Sequence, residues 1–194
     1  MLFRETRPVG CGGAAKPAGR VPEGRAGEPP SLGRSRLVKA GALPGLSDKP
    51  RLEPRGALWV AIELDGIEHQ VLNTHLGLLP SERRVQAEAL LGPEWLGHPD
   101  CRRPVVLCGD FNALPSSPVC RRLRTRLHDA QIELENHRPR RTFSGRFPTA
   151  RIDHVFVDPA TDVLDIEVPD TELARVASDH LPLIAELRFP AGAQ

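Results

Sequence analysis

Apolar and polar positions fall into two textures along this chain, and the boundary lies near residue 50. From residue 56 the pattern is that of regular structure. "GALWVAIELDG" is a continuous apolar run closed by the turn pair Asp65-Gly66, which predicts a strand covered on both faces. "HQVLNTHLG" follows after a tight connection and reads as its hairpin partner. "PSERRVQAEALLG" reads as a helix, with Ser81 as N-cap, Glu82 in the first turn, and Val85 and Ala89 sharing a face. "RPVVLCGDFNA" is a further buried strand. In "SSPVCRRLRTRLHDA", Ser117 caps a helix that has Pro118 at its first position, and Val119, Leu123 and Leu127 form its core face. "RIDHVFVD" and "VLDIEVPD" are short strands. "HLPLIAELRF" places Leu181, Leu183, Ala185, Leu187 and Phe189 on one side of a half-buried final strand. Strands interleaved with helices predict an α/β layered sandwich of the α+β type, with mixed β-sheets flanked by helices.

Composition changes the picture mainly before residue 50. Residues 1–50 hold seven Pro and nine Gly and show no helical or strand periodicity. Such a segment buries too little apolar surface to offset chain entropy, so residues 1–35 are expected to be a disordered, Gly/Pro/Arg-rich segment ahead of a domain over 36–190. The net charge of +1, with 26% charged residues, creates no global field that would favour nucleic acid or membrane. The four cysteines, Cys11, Cys101, Cys108 and Cys120, lack metal-finger spacing and read as reduced thiols. No apolar stretch is long enough to cross a membrane, and no apolar segment follows the N-terminal arginines. A soluble, cytoplasmic, monomeric protein without membrane insertion is expected.

The candidate chemistry sits where apolar runs begin or end. Four stretches place Asp, Asn or His at such points: "NTH" (73–75), "GDFN" (109–112), "RIDH" (151–154) and "SDH" (178–180). A single Asp before a loop is an ordinary turn former, and a single His beside a strand is ordinarily a structural hydrogen-bonding residue. Together the four stretches supply three carboxylates, two amides and three imidazoles, an inventory suited to metal-assisted hydrolysis. Carboxylate and amide oxygens bind a hard cation, and an Asp–His pair makes a general base. In an extended segment residues i and i+2 point the same way, so Asp110 and Asn112 should share a face while Phe111 turns inward. Arg151 and Asp153 should share one face of their strand, with Ile152, His154 and Phe156 on the other. The arginines of "RRLRTR" (121–126) occupy the solvated positions of their helix, and with "HRPRR" (137–141) they could contact a nucleic-acid backbone. Trp59 and Trp95 fit core packing.

In this order and spacing, "NTHLG", "GDFNA", "RIDHVFV" and "SDHLPL" resemble the endonuclease/exonuclease/phosphatase superfamily, whose fold is deoxyribonuclease-I-like. The resemblance runs from about Leu43 to Phe189, and "EPRGALWV" and "TFSGRFPTARIDH" share it. It implies a phosphodiester hydrolase, nuclease-like, in which His180 is the general base and Asp153 orients it. It implies that Asp110 positions the nucleophile or protonates the leaving oxygen, that Asn112 holds the nucleophile and phosphate oxygens, and that His75 donates to a phosphoryl oxygen. Asp179, Asp110 and Asn112 would ligate Mg2+ or Mn2+. Asn73, His154 and Ser178 would support these groups. The resemblance also implies an early Asn and a glutamate after a buried strand as principal metal ligand. Nothing in residues 1–50 matches either, since "MLFRET" has a Glu without a strand to deliver it. The chain is therefore expected to hold the C-terminal two-thirds of such a domain. A phospholipid or small-molecule phosphoesterase, or a catalytically dead fragment, are the alternative readings.

Overall fold

A run such as Val105–Cys108 is apolar at every position because both of its faces are covered. The computed structural model describes residues 2–5, 32–48, 52–64 and 66–190. In chain order the elements are β1 (Leu2–Glu5), β2 (Leu32–Ala42), β3 (Gly56–Leu64), β4 (Ile67–His75), α1 (Pro80–Leu91) and β5 (Val105–Asp110). They continue with α2 (Pro118–Leu123), β6 (His128–Asp129), α3 (Ala130–Glu133), β7 (Asp153–Val157), β8 (Asp162–Glu167), α4 (Glu172–Ala177) and β9 (Ile184–Arg188). Six strands form one mixed sheet in the order β2-β3-β4-β5-β7-β6, and three form a second sheet in the order β1-β9-β8.

Strand alternation then builds the layers. Val105 and Leu107 of β5 join Trp59, Leu72, Phe156, and Ala87, Leu90, Val119 and Leu123 of α1 and α2 in one core. Val106 and Cys108, on the opposite face, join Val155, Val157, Ala185 and Leu187 between the two sheets. The final strand follows the predicted alternation, with Leu181, Leu183, Ala185 and Leu187 all buried. Burying a side chain of this size contributes about 1.5–3 kcal/mol. Trp59 and Trp95 are core residues, and the Trp59 Nε1–H donates to Gln70 Oε1 at 2.7 Å.

Five expectations are corrected. β3 is fully covered on the helix side alone: Ala57, Trp59 and Ala61 are buried while Leu58 is 42% exposed, because among the described residues the second sheet pairs three strands and its core meets β5 and β7 rather than β3. The cap of α1 is Leu79, with Pro80 at the first helical position, instead of Ser81. The buried residues of α1 are Glu82, Gln86, Ala87 and Leu90, whereas Val85 is exposed. Residues 2–5, expected to be disordered, form β1 and pair in parallel with β9. The remainder of the 1–35 expectation, residues 6–31, lies outside the described residues, and β2 starts at Leu32. The Ser117–Pro118 start of α2 is as predicted, with the Ser117 side chain accepting from Cys120 N, but the helix ends at Leu123. Leu127 is buried beyond it.

Candidate active site

Strand register alone brings three of the predicted residues into a row. β4 and β5 run parallel with His75 opposite Asp110, and β5 and β7 run antiparallel with Asp110 opposite Asp153. His75, Asp110 and Asp153 thus stand side by side across three neighbouring strands at one end of the larger sheet. His180 arrives from the other sheet, just before β9. The backbone bridge between Phe143 and His180, and the bond from Leu181 N to Thr142 O (2.8 Å), fix it there. These groups line a cleft of about 500 Å3 whose other wall is built from Ala174, Ala177, Leu181, Pro182 and Leu183.

His180 Nδ1 lies 2.8 Å from Asp153 Oδ2, and its Nε2 lies 3.9 Å from Asp110 Oδ2. Thr142 Oγ1, a buried hydroxyl, donates to the same Asp153 oxygen at 2.5 Å. Burial works to lower the His180 imidazole, but the Asp153 hydrogen bond and the charges of Asp153, Asp110 and Asp179 outweigh it and raise its pKa. Asp110 is raised by burial, with the Asp153 charge adding to the rise and the Asn112 N–H, His75 and His180 opposing it.

The neighbourhood of Asp110 departs from the extended geometry predicted for "GDFN". Phe111 is fully buried as expected, but β5 ends at Asp110 and Asn112 takes a left-handed conformation (φ 48°). Its backbone N–H turns back onto Asp110 Oδ1 (2.7 Å), and its side-chain amide donates to Leu76 O (2.8 Å). Asn112 therefore ties the Asp110 loop to the "NTHLG" loop. Asp179 is exposed, with Ser178 Oγ 3.5 Å from its Oδ1, and is not in the group formed by Asp110, Asp153 and His180. Ser178 Oγ accepts from His180 N at 3.1 Å, and Asn73 Nδ2 contacts Cys108 Sγ at 3.5 Å.

Asp110, Asp153 and His180 each offer one ligand atom within 4.8 Å of the others, and could together hold a metal ion. Two carboxylates beside one imidazole suit a hard divalent cation. Thr142 and His180 both meet Asp153 through Oδ2, whereas Asp110 accepts the Asn112 N–H on Oδ1 and has the His75 ring beside Oδ2. Among the described residues no glutamate joins the group. Glu5 does lie on a strand, but β1 runs parallel to β9 with Glu5 opposite Leu187, at the end of β9 away from His180.

His154 lies beneath the site, fully buried. Its Nε2 is 2.8 Å from Ala113 O and 3.6 Å from Cys120 Sγ, and its Nδ1 is 3.4 Å from Asp129 Oδ2. Arg151 donates to the same Asp129 oxygen. Burial lowers the His154 imidazole, but Asp129 and Cys120 outweigh it and raise the pKa to about 9. Burial raises Asp129, and the His154 and Arg151 contacts outweigh it and lower its pKa. Protonated His154 stabilises the fold fully below about pH 6.5, and this is lost as pH rises through about 9. Ionised Asp129 stabilises it above about pH 4, and this is lost on further acidification. The thermal midpoint should be highest between these limits, and the alkaline fall should shrink in His154→Gln to the part due to the Cys101 and Cys108 thiols, which burial raises to about 11. An unchanged alkaline limb in that variant would refute the assignment.

Two residues of the site have no counterpart in the motif reading. Thr142 supports Asp153, and Arg55 donates to His75 Nδ1 at 3.1 Å. They belong to the stretches "TFSG" and "EPRGALWV", but neither residue type signals its partner at a sequence separation of 11 or 20. The arginines following Ser117 are partly committed to structure: Arg124 donates to Pro115 O (2.9 Å), Arg121 to Ser116 O, Arg126 to Leu96 O, and Arg122 to the Glu88 carboxylate.

The sequence profile of the Endonuclease/Exonuclease/phosphatase family matches residues 11–180. The chain belongs to this family. It is 33% identical over 140 residues to the Escherichia coli protein YbhP, a match that covers 71% of this chain and 54% of that protein. The chain thus spans about half the length of the curated relatives it matches. Its fold is similar to that of a mannosyl-6-phosphatase from Bacteroides thetaiotaomicron (TM-score 0.65, 25% identity, 80% of this chain and 67% of that one). It also resembles the human Nocturnin catalytic domain (TM-score 0.61, 21% identity, 81% and 60%). The mixed sheets with flanking helices are thus those of the family's deoxyribonuclease-I-like fold. Among the described residues no helix is long and apolar enough to cross a membrane.

Proposed function

We propose that this protein is a metal-dependent phosphoester hydrolase that cleaves a phosphodiester with water activated by the Asp153–His180 pair. The observation that carries the reading is the 2.8 Å contact between His180 Nδ1 and Asp153 Oδ2. A carboxylate can only accept, so the imidazole proton sits on Nδ1 and the Nε2 lone pair is bare toward the cleft, positioned to take a proton from water. Asp153 stabilises the imidazolium that results, and Thr142 keeps the carboxylate in place. Asp110, fixed by the Asn112 N–H, positions the attacking water. His75, 3.2 Å from Asp110 through Nε2, donates to a phosphoryl oxygen, and Asn112 holds the Asp110 loop. A divalent cation such as Mg2+, held by Asp110, would supply neutralisation of charge on the phosphoryl oxygens. Asp179, at the rim, reaches this centre through its charge on His180.

The test is turnover of bis(p-nitrophenyl) phosphate and p-nitrophenyl phosphate by the purified chain. Diester cleavage should require Mg2+ or Mn2+, stop in chelator and resume when metal is returned. No cleavage of either compound with metal present would sink the reading. Cleavage of the monoester alone would favour a phosphomonoesterase, the reading supported by the similarity to a mannosyl-6-phosphatase. A nucleic-acid diester is the substrate that the exposed Arg138, Arg140 and Arg141 favour.

A further inference from the structure

The environment of His75 differs from that of His180 in one respect: its inner nitrogen faces a guanidinium and not a carboxylate. Arg55 Nη1 lies 3.1 Å from His75 Nδ1, and Arg55 Nη2 lies 2.9 Å from Glu53 Oε2. The Arg55 side chain is only 9% exposed. Both ends of the contact are anchored by backbone. Arg55 O accepts from Leu43 N at 2.7 Å, and Gly56 O accepts from the hydroxyl of Thr74, the residue before His75, at 3.0 Å.

A guanidinium carries five N–H groups and no acceptor, so an atom at hydrogen-bond distance from Nη1 must accept. His75 Nδ1 is therefore bare, and the ring's single proton is on Nε2, which lies 3.2 Å from Asp110 Oδ2. The opposite tautomer would set N–H against N–H at Arg55 and a lone pair against the carboxylate at Asp110. The hydrogen bond to Arg55 would be lost and the contact with Asp110 would turn repulsive. At His154 the corresponding nitrogen also has Asp129 within reach, so its arginine neighbour imposes no such choice. The planar fork of Arg55 spans Glu53 and His75 with two different nitrogens, which holds the donor still while it sets the ring.

We propose that Arg55 is a positioning residue: it locks His75 as an imidazole with bare Nδ1 and a protonated Nε2 that is left to donate to a phosphoryl oxygen in the cleft. The effect on turnover rests on the hydrolase reading, whereas the proton assignment does not. Nitrogen NMR of the full chain, with the His75 signals identified by their loss in His75→Gln, should show an unprotonated Nδ1 and a protonated Nε2. A protonated Nδ1 in the wild-type chain overturns the proposal whatever the activity. Turnover then tests the consequence through a double-mutant cycle with bis(p-nitrophenyl) phosphate and Mg2+. Arg55→Met should lower kcat about 10–100-fold with little change in KM, and Arg55→Lys, which keeps one donor for Nδ1, should recover most of it. In a His75→Ala background, Arg55→Met should cost less than about threefold further, because the residue it acts through is gone. Full additivity would mean that Arg55 acts on the substrate directly, and would overturn the proposal. If the wild-type chain cleaves nothing while Nδ1 is bare, the hydrolase reading fails and the proton assignment stands.

Discussion

Truncating His180 to alanine is expected to lower kcat on a phosphodiester by about two to four orders of magnitude, the usual worth of a positioned general base. Among the residues lining the cleft, His180 alone has its imidazole held by a carboxylate through one nitrogen while the other faces the cleft. Its partner is itself fixed, because Asp153 accepts from both His180 and the buried Thr142 hydroxyl. Asp153→Asn should cost about as much as His180→Ala. An amide in that place can donate to Nδ1, which moves the ring proton to Nε2 and removes the lone pair that takes the proton from water. The fold should tolerate both changes: the two side chains are 25% and 16% exposed and lie beyond or at the start of their strands, outside both apolar clusters. Steady-state kinetics with Mg2+, alongside a melting curve for each variant, is the measurement. A loss of less than about threefold in His180→Ala would remove it from the chemistry.

The largest expected effect on stability comes from Gly109→Ala. Gly109 precedes Asp110 in β5 and has φ +137°, a conformation that L side chains rarely adopt. A Cβ there would stand 2.9 Å from the Thr74 carbonyl carbon, 3.0 Å from Thr74 N and closer still to Thr74 O, all of it backbone of the paired strand β4. Neither strand can yield, because β4 and β5 lie in the middle of the six-stranded sheet. The strain of the conformation and the forced separation of the two strands together should cost about 3 kcal/mol or more, read as a shift of the urea midpoint. A shift worth less than about 0.5 kcal/mol would show that the close approach is not real. The change should also suppress activity in the molecules that remain folded, since His75 and Asp110 are the next paired residues along the same ladder. The geometry of the site therefore depends on a residue with no side chain at all.

Much of the fold is legible in the sequence. The hairpin of β3 and β4, the helix started by Ser117 and Pro118, and the alternation of Leu181 through Leu187 are local patterns, set by turn chemistry, capping and pleat. The departures share a cause in what surrounds an element. "GALWVAIEL" reads as doubly covered from its apolar run, but which neighbour lies over Leu58 is a property of the second sheet. Glu82 reads only as a first-turn acid, yet it is 2% exposed because Gln86 Nε2 donates to it and the Gly77 backbone closes over it, so closely that a Cβ at Gly77 would overlap its carboxylate. Asn112 reads as extended, but a left-handed turn is stabilised by its own N–H reaching Asp110.

By itself the sequence determined which strands end in chemistry, because a carboxylate, amide or imidazole that interrupts an apolar run is visible at short range. Its four ordered stretches were also enough to place the chain in its family. Only the tertiary structure decided which of those polar groups meet. Registers β4–β5 and β5–β7 set His75, Asp110 and Asp153 in a row, and the packing of a second sheet brings His180 to Asp153 across a separation of 27 residues. The same packing withdraws His154 into the interior and leaves Asp179 at the rim, though both come from equally promising stretches. It also brings in Arg55 and Thr142, whose roles come from partners distant in sequence. Hydrogen-bond direction depends on which donor faces which acceptor, and only the folded chain settles that.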